Sequence, residues 1–108
     1  MVAARQFDVV LVELDPTRGS EIQKTRPCVV ISPDEMNEAH RTAVVAPMTT
    51  GARAFSWRVP VRFDERAGLI LLDQVRAIDE ERIVMSLGSL DAPTVARVLR
   101  ALSATFAP

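Results

Sequence analysis

The sequence predicts a mainly β, α+β fold: a small, partly open barrel with one amphipathic helix packed against it. Three observations carry this. Short apolar runs of strand character recur along most of the chain, as in FDVVLVEL (7–14) and TAVVAPMT (42–49). The hydrophobic period then changes, and after Asp91 apolar residues fall at helical spacing. The chain has 108 residues and shows no internal repeat, linker or low-complexity segment, so a single domain over 1–108 is expected.

The elements follow in order. FDVVLVEL (7–14) has the β-branched core of a first strand. The segment DPTRGSEIQKTRP (15–27) separates it from the next apolar run, and it is longer than the two to five residues usual in a hairpin. RPCVVIS (26–32) is a second strand, with Pro27 tolerable near its start. PDEMNEAH (33–40) reads as a turn or short helix, since proline suits a first helical turn. TAVVAPMT (42–49) is a third strand and WRVPVRF (57–63) a fourth. GLILLDQVRAI (68–78) is one long strand, or two joined by a bend near Asp73. DEER (79–82) is a turn and IVMSLGSL (83–90) a last strand. Val95, Val98, Leu99, Leu102 and Phe106 then mark a helix, with Asp91 as its N-cap and Pro93 in its first turn.

Composition narrows the chemistry. No apolar run approaches the roughly 20 residues of a membrane helix, and the N-terminus lacks the apolar core of a secretory signal. A cytoplasmic protein with no membrane association is expected. One cysteine, Cys28, and one histidine, His40, cannot build a cysteine or histidine metal site. No cofactor or metal is expected. Cys28 reads as a buried structural thiol and His40 as a surface residue. The net charge is −1, so any nucleic-acid site must be local. Local charge is uneven: twelve of the thirteen basic residues are arginine, and between Glu38 and Asp64 no acid occurs. Arg41, Arg53, Arg58 and Arg62 lie in that window together with Phe55 and Trp57. Guanidinium forks suit phosphate, and aromatic faces suit unstacked bases; a solvated loop with a core-packed tryptophan accounts for the same pattern.

No phosphate-binding glycine loop, dinucleotide fingerprint, zinc signature or nucleophile elbow is present. A site must therefore draw on Arg, Thr, Ser, Glu, Asp or Gln. Phosphoryl chemistry can run on positioning and charge stabilisation, which arginine supplies. RNA cleavage needs no protein nucleophile, because the 2′-hydroxyl can attack the neighbouring phosphate. Arg26 joins the long loop to the second strand, and either reaches into a site or pairs with Glu21 or another acid. Thr49 and Thr50 end the third strand, where their hydroxyls bind phosphate or close a turn. Gln74 reads a base edge or is a satisfied polar residue.

The stretches DVVLVELDPTRGSE, KTRPCVVISPDEMN, VVAPMTT and LLDQVRAIDEERI together resemble the MazF/PemK family of toxin endoribonucleases, from about Phe7 to the C-terminal helix. The resemblance implies an SH3-like barrel of the MazF/CcdB type. It implies a homodimer that cuts single-stranded mRNA at short motifs without metal, leaving a 2′,3′-cyclic phosphate and a 5′-hydroxyl. It also implies the toxin of a type II toxin–antitoxin pair, one that stops translation and growth and is held inactive by a MazE-like antitoxin. By the same resemblance Arg26 is a principal catalytic residue, Thr49 its partner, and Glu21 a further contributor that either accepts the 2′-hydroxyl proton or orients Arg26. Ser20 and Gln23 fall in the RNA-contacting loop, with Arg18 and Lys24 as phosphate contacts. Thr50, Phe55, Trp57 and Gln74 complete the RNA-binding set. Leu71 stands where some members carry an arginine proton donor, so Asp73 ranks below Arg26 and Thr49. A non-catalytic gyrase poison of the CcdB type is the alternative from another class, and incubation with a long RNA separates the two.

Overall fold

The computed structural model describes residues 2–14 and 25–108. Its strands are β1 (Asp8–Glu13), β2 (Thr25–Val30), β3 (Thr42–Thr49), β4 (Arg58–Phe63), β5 (Arg66–Leu71), β6 (Arg76–Asp79) and β7 (Ile83–Ser89). Helix α1 (Asp34–His40) lies between β2 and β3, and α2 (Ala92–Phe106) closes the chain. Short 3-10 turns occupy Leu72–Gln74 and Glu80–Arg82. The strands form one sheet in the order β4-β5-β3-β2-β1-β7, with β6 also pairing with β3, and every pairing is antiparallel. Although β4 and β7 end that order, the Phe63 ring sits 3.4 Å from where a Cβ on Gly88 would stand. The sheet therefore curls until its ends meet, as the expected partly open barrel requires. Gly88 has φ of 134°, a conformation open to glycine and strained for other residues.

Alternation along the strands sends side chains to two cores. Val10, Val12, Cys28, Val30, Ala43 and Val45 belong to one cluster, and Val9, Val29, Ala46 and Met48 to the other. The central strands are thus buried on both faces, which is why their sequences read as continuous apolar runs. Burying each such valine contributes about 1.5–3 kcal/mol. The second cluster is covered by α2 through Val98, Ala101 and Leu102. The expected apolar face of α2 is only partly used: Leu99 is 50% and Phe106 69% exposed. On the sheet edge, Val84, Met85 and Leu87 of β7 are exposed as well.

Asp91 caps α2 as expected: its Oδ1 accepts the Thr94 N–H at 2.9 Å. The bonds from Thr94 hold the Asp91 carboxyl below its ordinary range. A carboxylate whose pKa is lower folded than unfolded stabilises the fold above the unfolded value of about 3.9. That contribution disappears as pH falls through the folded value. Asp91→Ala is therefore expected to lower the melting temperature at neutral pH and to lose that deficit progressively below about pH 4, as thermal melts across pH would read out. The short-helix alternative for 33–40 holds, with Pro33 just before the helix as its N-cap. Buried Asn37 donates to the carbonyls of Ala4 and Ser32, each at 3.1 Å, tying α1 to the N-terminal segment.

Of two boundaries, one differs from the sequence reading and one settles an alternative it left open. First, β5 starts at Arg66 rather than at Gly68, because Phe63 pairs with Arg66 across a two-residue turn. Asp64 and Glu65 both have positive φ, 52° and 62°, as a type I′ hairpin turn requires. No glycine announces it. Second, the bend near Asp73 is real and divides β5 from β6. Both pair with the same edge of β3, Ile70 opposite Met48 and Arg76 opposite Val45. Between those pairs β3 advances three residues and its partner six, so three extra residues must leave the ladder. The 3-10 turn Leu72–Gln74 accommodates them, and this insertion brings Asp73 and Gln74 to the surface.

Candidate active site

Arg26 and Thr49 come together through strand register. Cys28 lies opposite Pro47 in the β2–β3 ladder. The ladder ends there; carried on by two residues its register would set Arg26 opposite Thr49, and both residues line the same two clefts. Alternation puts both on the sheet face of Cys28 and Val45, beyond the end of that apolar cluster, where strand ends meet solvent. Both are half-buried. Among the described residues no acid pairs with Arg26. The Thr49 hydroxyl accepts the Gly51 N–H at 3.3 Å, so it closes a turn and still keeps its own proton to donate.

Two clefts meet at this pair. A cleft of about 620 Å³ runs from Arg26 and Thr49 past Thr50 to Phe63, Arg66 and Gly68. A second, of about 410 Å³, runs from the same two residues to Gln74 and Arg76. Arg26 and Thr49 thus stand on a wall common to both. Gly68 supports that wall from behind: a Cβ there would lie 2.8 Å from the Thr49 carbonyl oxygen. Only glycine lets β5 approach β3 so closely. Gly68→Ala is expected to destabilise the fold by about 1–3 kcal/mol, as overpacked sites do, measurable by urea denaturation.

The turn at 72–74 forms one side of the second cleft through Gln74. Its neighbour Asp73 takes a bidentate grip from Arg58, with Nε to Oδ1 at 3.1 Å and Nη2 to Oδ2 at 3.0 Å. The hydrogen bond from Arg58 holds the Asp73 carboxyl below its ordinary range. Arg58 Nη1 also donates to the Arg53 carbonyl at 2.9 Å. Beside it, Phe55 and Trp57 stack with ring centroids 4.8 Å apart and planes within 7°. The guanidiniums of Arg53 and Arg58 lie 5.2 and 5.0 Å from the Phe55 ring centre. Cys28 is buried and free, in line with the sequence reading. Burial pushes its thiol up to about 11, against the opposing charges of Arg26 and Arg76.

The structure therefore brings together Arg26, Thr49, Thr50 and Gln74 around the clefts, and places Asp73, Phe55 and Trp57 in an adjoining cluster. Arg18, Ser20, Glu21, Gln23 and Lys24 lie outside the described residues. Leu71 is buried and contributes an apolar wall where an arginine had been considered. Sequence reasoning passed over Arg66, Gly68 and Arg76. For Arg76 a signal existed: it stands two residues after Gln74 in the stretch LLDQVRAIDEERI. Among the described residues, no three of His, Cys, Asp and Glu converge to hold a metal ion, and no helix is long and apolar enough to cross a membrane.

Comparison with known proteins agrees with this fold. Residues 5–106 match the family described as PemK-like, MazF-like toxin of type II toxin-antitoxin system. Endoribonuclease EndoA of Bacillus subtilis (strain 168) is 34% identical over 109 residues, covering 95% of this chain and 94% of that protein. Endoribonuclease toxin MazF of Escherichia coli (strain K12) is 38% identical over 71 residues, or 66% of this chain. That match spans 64% of the E. coli protein, just under two thirds of its length. Among solved structures, a MazE-MazF crystal structure from Deinococcus radiodurans superposes with a TM-score of 0.83 at 22% identity, over 97% of this chain and 96% of that one. The curled sheet and C-terminal helix are thus a known toxin architecture, and with a sequence match over nearly its whole length the chain belongs to the PemK-like, MazF-like family of type II toxin–antitoxin toxins.

Proposed function

We propose that this protein is a metal-independent endoribonuclease that cuts single-stranded RNA, mRNA above all, at short sequence motifs in the cytoplasm. The observation that carries the reading is the juxtaposition of Arg26 and Thr49 on the wall shared by two clefts. An RNA strand threaded from one cleft to the other puts a phosphate between them. Arg26 holds that phosphate, stabilises the charge developing on its oxygens and can donate a proton to the leaving 5′-oxygen. A guanidinium is a poor base, since it carries donors and no acceptor. Thr49 donates its hydroxyl proton to a phosphate oxygen. Glu21 accepts the 2′-hydroxyl proton or orients Arg26. The products are a 2′,3′-cyclic phosphate and a 5′-hydroxyl. Arg18 and Lys24 contact flanking phosphates. Ser20, Gln23, Thr50 and Gln74 line the strand's path, and Phe55 or Trp57 stacks on a base.

The toxin acts as a homodimer, and the exposed Val84, Met85 and Leu87 of edge strand β7, with Leu99 and Phe106 of α2, support this. Its antitoxin is a small MazE-like partner whose acidic tail binds the same arginines. Solved relatives include a MazE-MazF complex, which is consistent with such a partner.

Purified protein incubated with a long RNA in excess EDTA tests the reading. Cleavage is expected, with upstream fragments lighter by one water than the linear phosphate. Activity that disappears in EDTA and returns with Mg²⁺ would overturn the metal-free mechanism.

A further inference from the structure

The cluster beside the second cleft is more organised than an exposed loop needs to be. The guanidinium of Arg58 grips both oxygens of Asp73 and the carbonyl of Arg53. Its backbone N–H donates to the Phe55 carbonyl at 3.0 Å. One residue thereby ties the loop 53–57 to the 3-10 turn that carries Gln74. The Arg58 side chain is only 14% exposed and Asp73 32%. Phe55 is engaged by Trp57 and by two guanidiniums. Trp57 remains 40% exposed, with one ring face on Phe55.

We propose that the Arg58–Asp73 ion pair is a positioning device that presents Trp57 as a preassembled stacking platform for one nucleobase of the bound RNA. This rests on the reading of the clefts as an RNA site and deepens it by naming a base subsite. Charge favours a nucleotide as occupant. From residue 39 to residue 63 the chain contains no acid, and Asp73 is neutralised by its partner. The same pairing neutralises Arg58, and Arg53, 5.2 Å from the Phe55 ring centre, leaves a positive charge at the stack, suited to a base that arrives on a phosphodiester chain. Because the aromatic pair is already parallel and braced, a base adds a third layer without ordering the loop first. Location fits too: Gln74 follows Asp73 directly and lines the cleft that holds Arg26 and Thr49. Asp73 then serves through Arg58, and takes no part in proton transfer.

Trp57 is the single tryptophan of the chain, so its fluorescence reports on the platform without labels. The probe is a mixed-sequence 2′-O-methyl oligoribonucleotide, which lacks the attacking hydroxyl and stays intact. Saturation is expected to quench Trp57 emission. Trp57→Ala is expected to weaken binding roughly tenfold, the scale of one base stack, and Trp57→Phe to restore much of it. On cleavable RNA, Asp73→Asn is expected to raise KM several-fold with kcat little changed, and to make Trp57 more accessible to acrylamide in the free protein. Unchanged emission at saturation would overturn the platform while leaving the nuclease standing. So would wild-type KM in Trp57→Ala, a variant at an exposed site. A kcat collapse at unchanged KM in folded Asp73→Asn would show Asp73 acting in the chemistry and overturn its positioning role. A wild-type protein that neither binds the oligonucleotide nor cleaves RNA would overturn the RNA reading itself.

Discussion

Replacing Arg26 with alanine is expected to slow RNA cleavage by about a hundredfold or more, the cost of removing one preorganised donor from a developing oxyanion. The fold should survive. Arg26 lies at the open end of β2, half-buried and outside both apolar clusters, and its backbone pairing with Val12 does not depend on its side chain. Arg26→Lys is expected to fail substantially too, since an ammonium cannot reproduce a planar two-donor contact. Thr49→Ala should also slow cleavage strongly, and Thr49→Ser should recover much of the loss because only the hydroxyl is used. Single-turnover cleavage alongside a thermal melt separates chemistry from folding. Near-normal turnover by a normally folded Arg26→Ala variant would remove Arg26 from the site.

An RNA carrying a single 2′-deoxy substitution just 5′ of the scissile phosphate is expected to bind and not be cut. The argument is one of elimination and then of placement. The chain's one thiol, Cys28, is buried, and with its pKa at about 11 it is almost entirely protonated at neutral pH. The single histidine, His40, ends α1 and lines neither cleft, so no imidazole activates a hydroxyl there. On the proposed reading Arg26 and Thr49 bind and polarise, and neither attacks. The substrate must then attack itself, and only the hydroxyl adjacent to the reacting phosphate can do so. Substitution elsewhere in the strand should leave cleavage largely intact. Efficient cutting of the substituted strand, or of DNA, would point to a water or protein nucleophile.

Much of the architecture was legible because burial writes itself into sequence as period. The two-faced burial of β1 to β3 gives continuous valine runs, and the switch to helical spacing after Asp91 gives α2. The bend at Asp73 was foreseen only as one of two choices, since three residues leaving a ladder leave no mark on polarity. The Asp64–Glu65 turn was missed for a related reason: its positive φ values are imposed by the hairpin, with no glycine or asparagine to signal them. Of the site, Arg26 and Thr49 were visible through motif resemblance, and register explains why those two meet. The Arg58–Asp73 grip was invisible. Charged side chains carry no period, and these two lie fifteen residues apart with a hairpin between them. Leu99 and Phe106 obeyed the helical pattern yet remain uncovered, because a pattern shows that a face is apolar without showing what covers it.

Cys28 offers this molecule a native clock. It sits mid-strand, paired with Val10 on one side and Pro47 on the other, with 1% of its surface accessible. At a pKa of about 11, roughly one thiol in several thousand is ionised near pH 7.5. Cys28 lines the second cleft, so an alkylating reagent must enter there to find the rare thiolate, and the slow labelling rate reports access through that cleft. A ligand seated against Arg26 would slow that labelling in proportion to its occupancy. Occupancy by nucleic acid or by inhibitor can thus be timed by mass alone, with no label engineered into the chain.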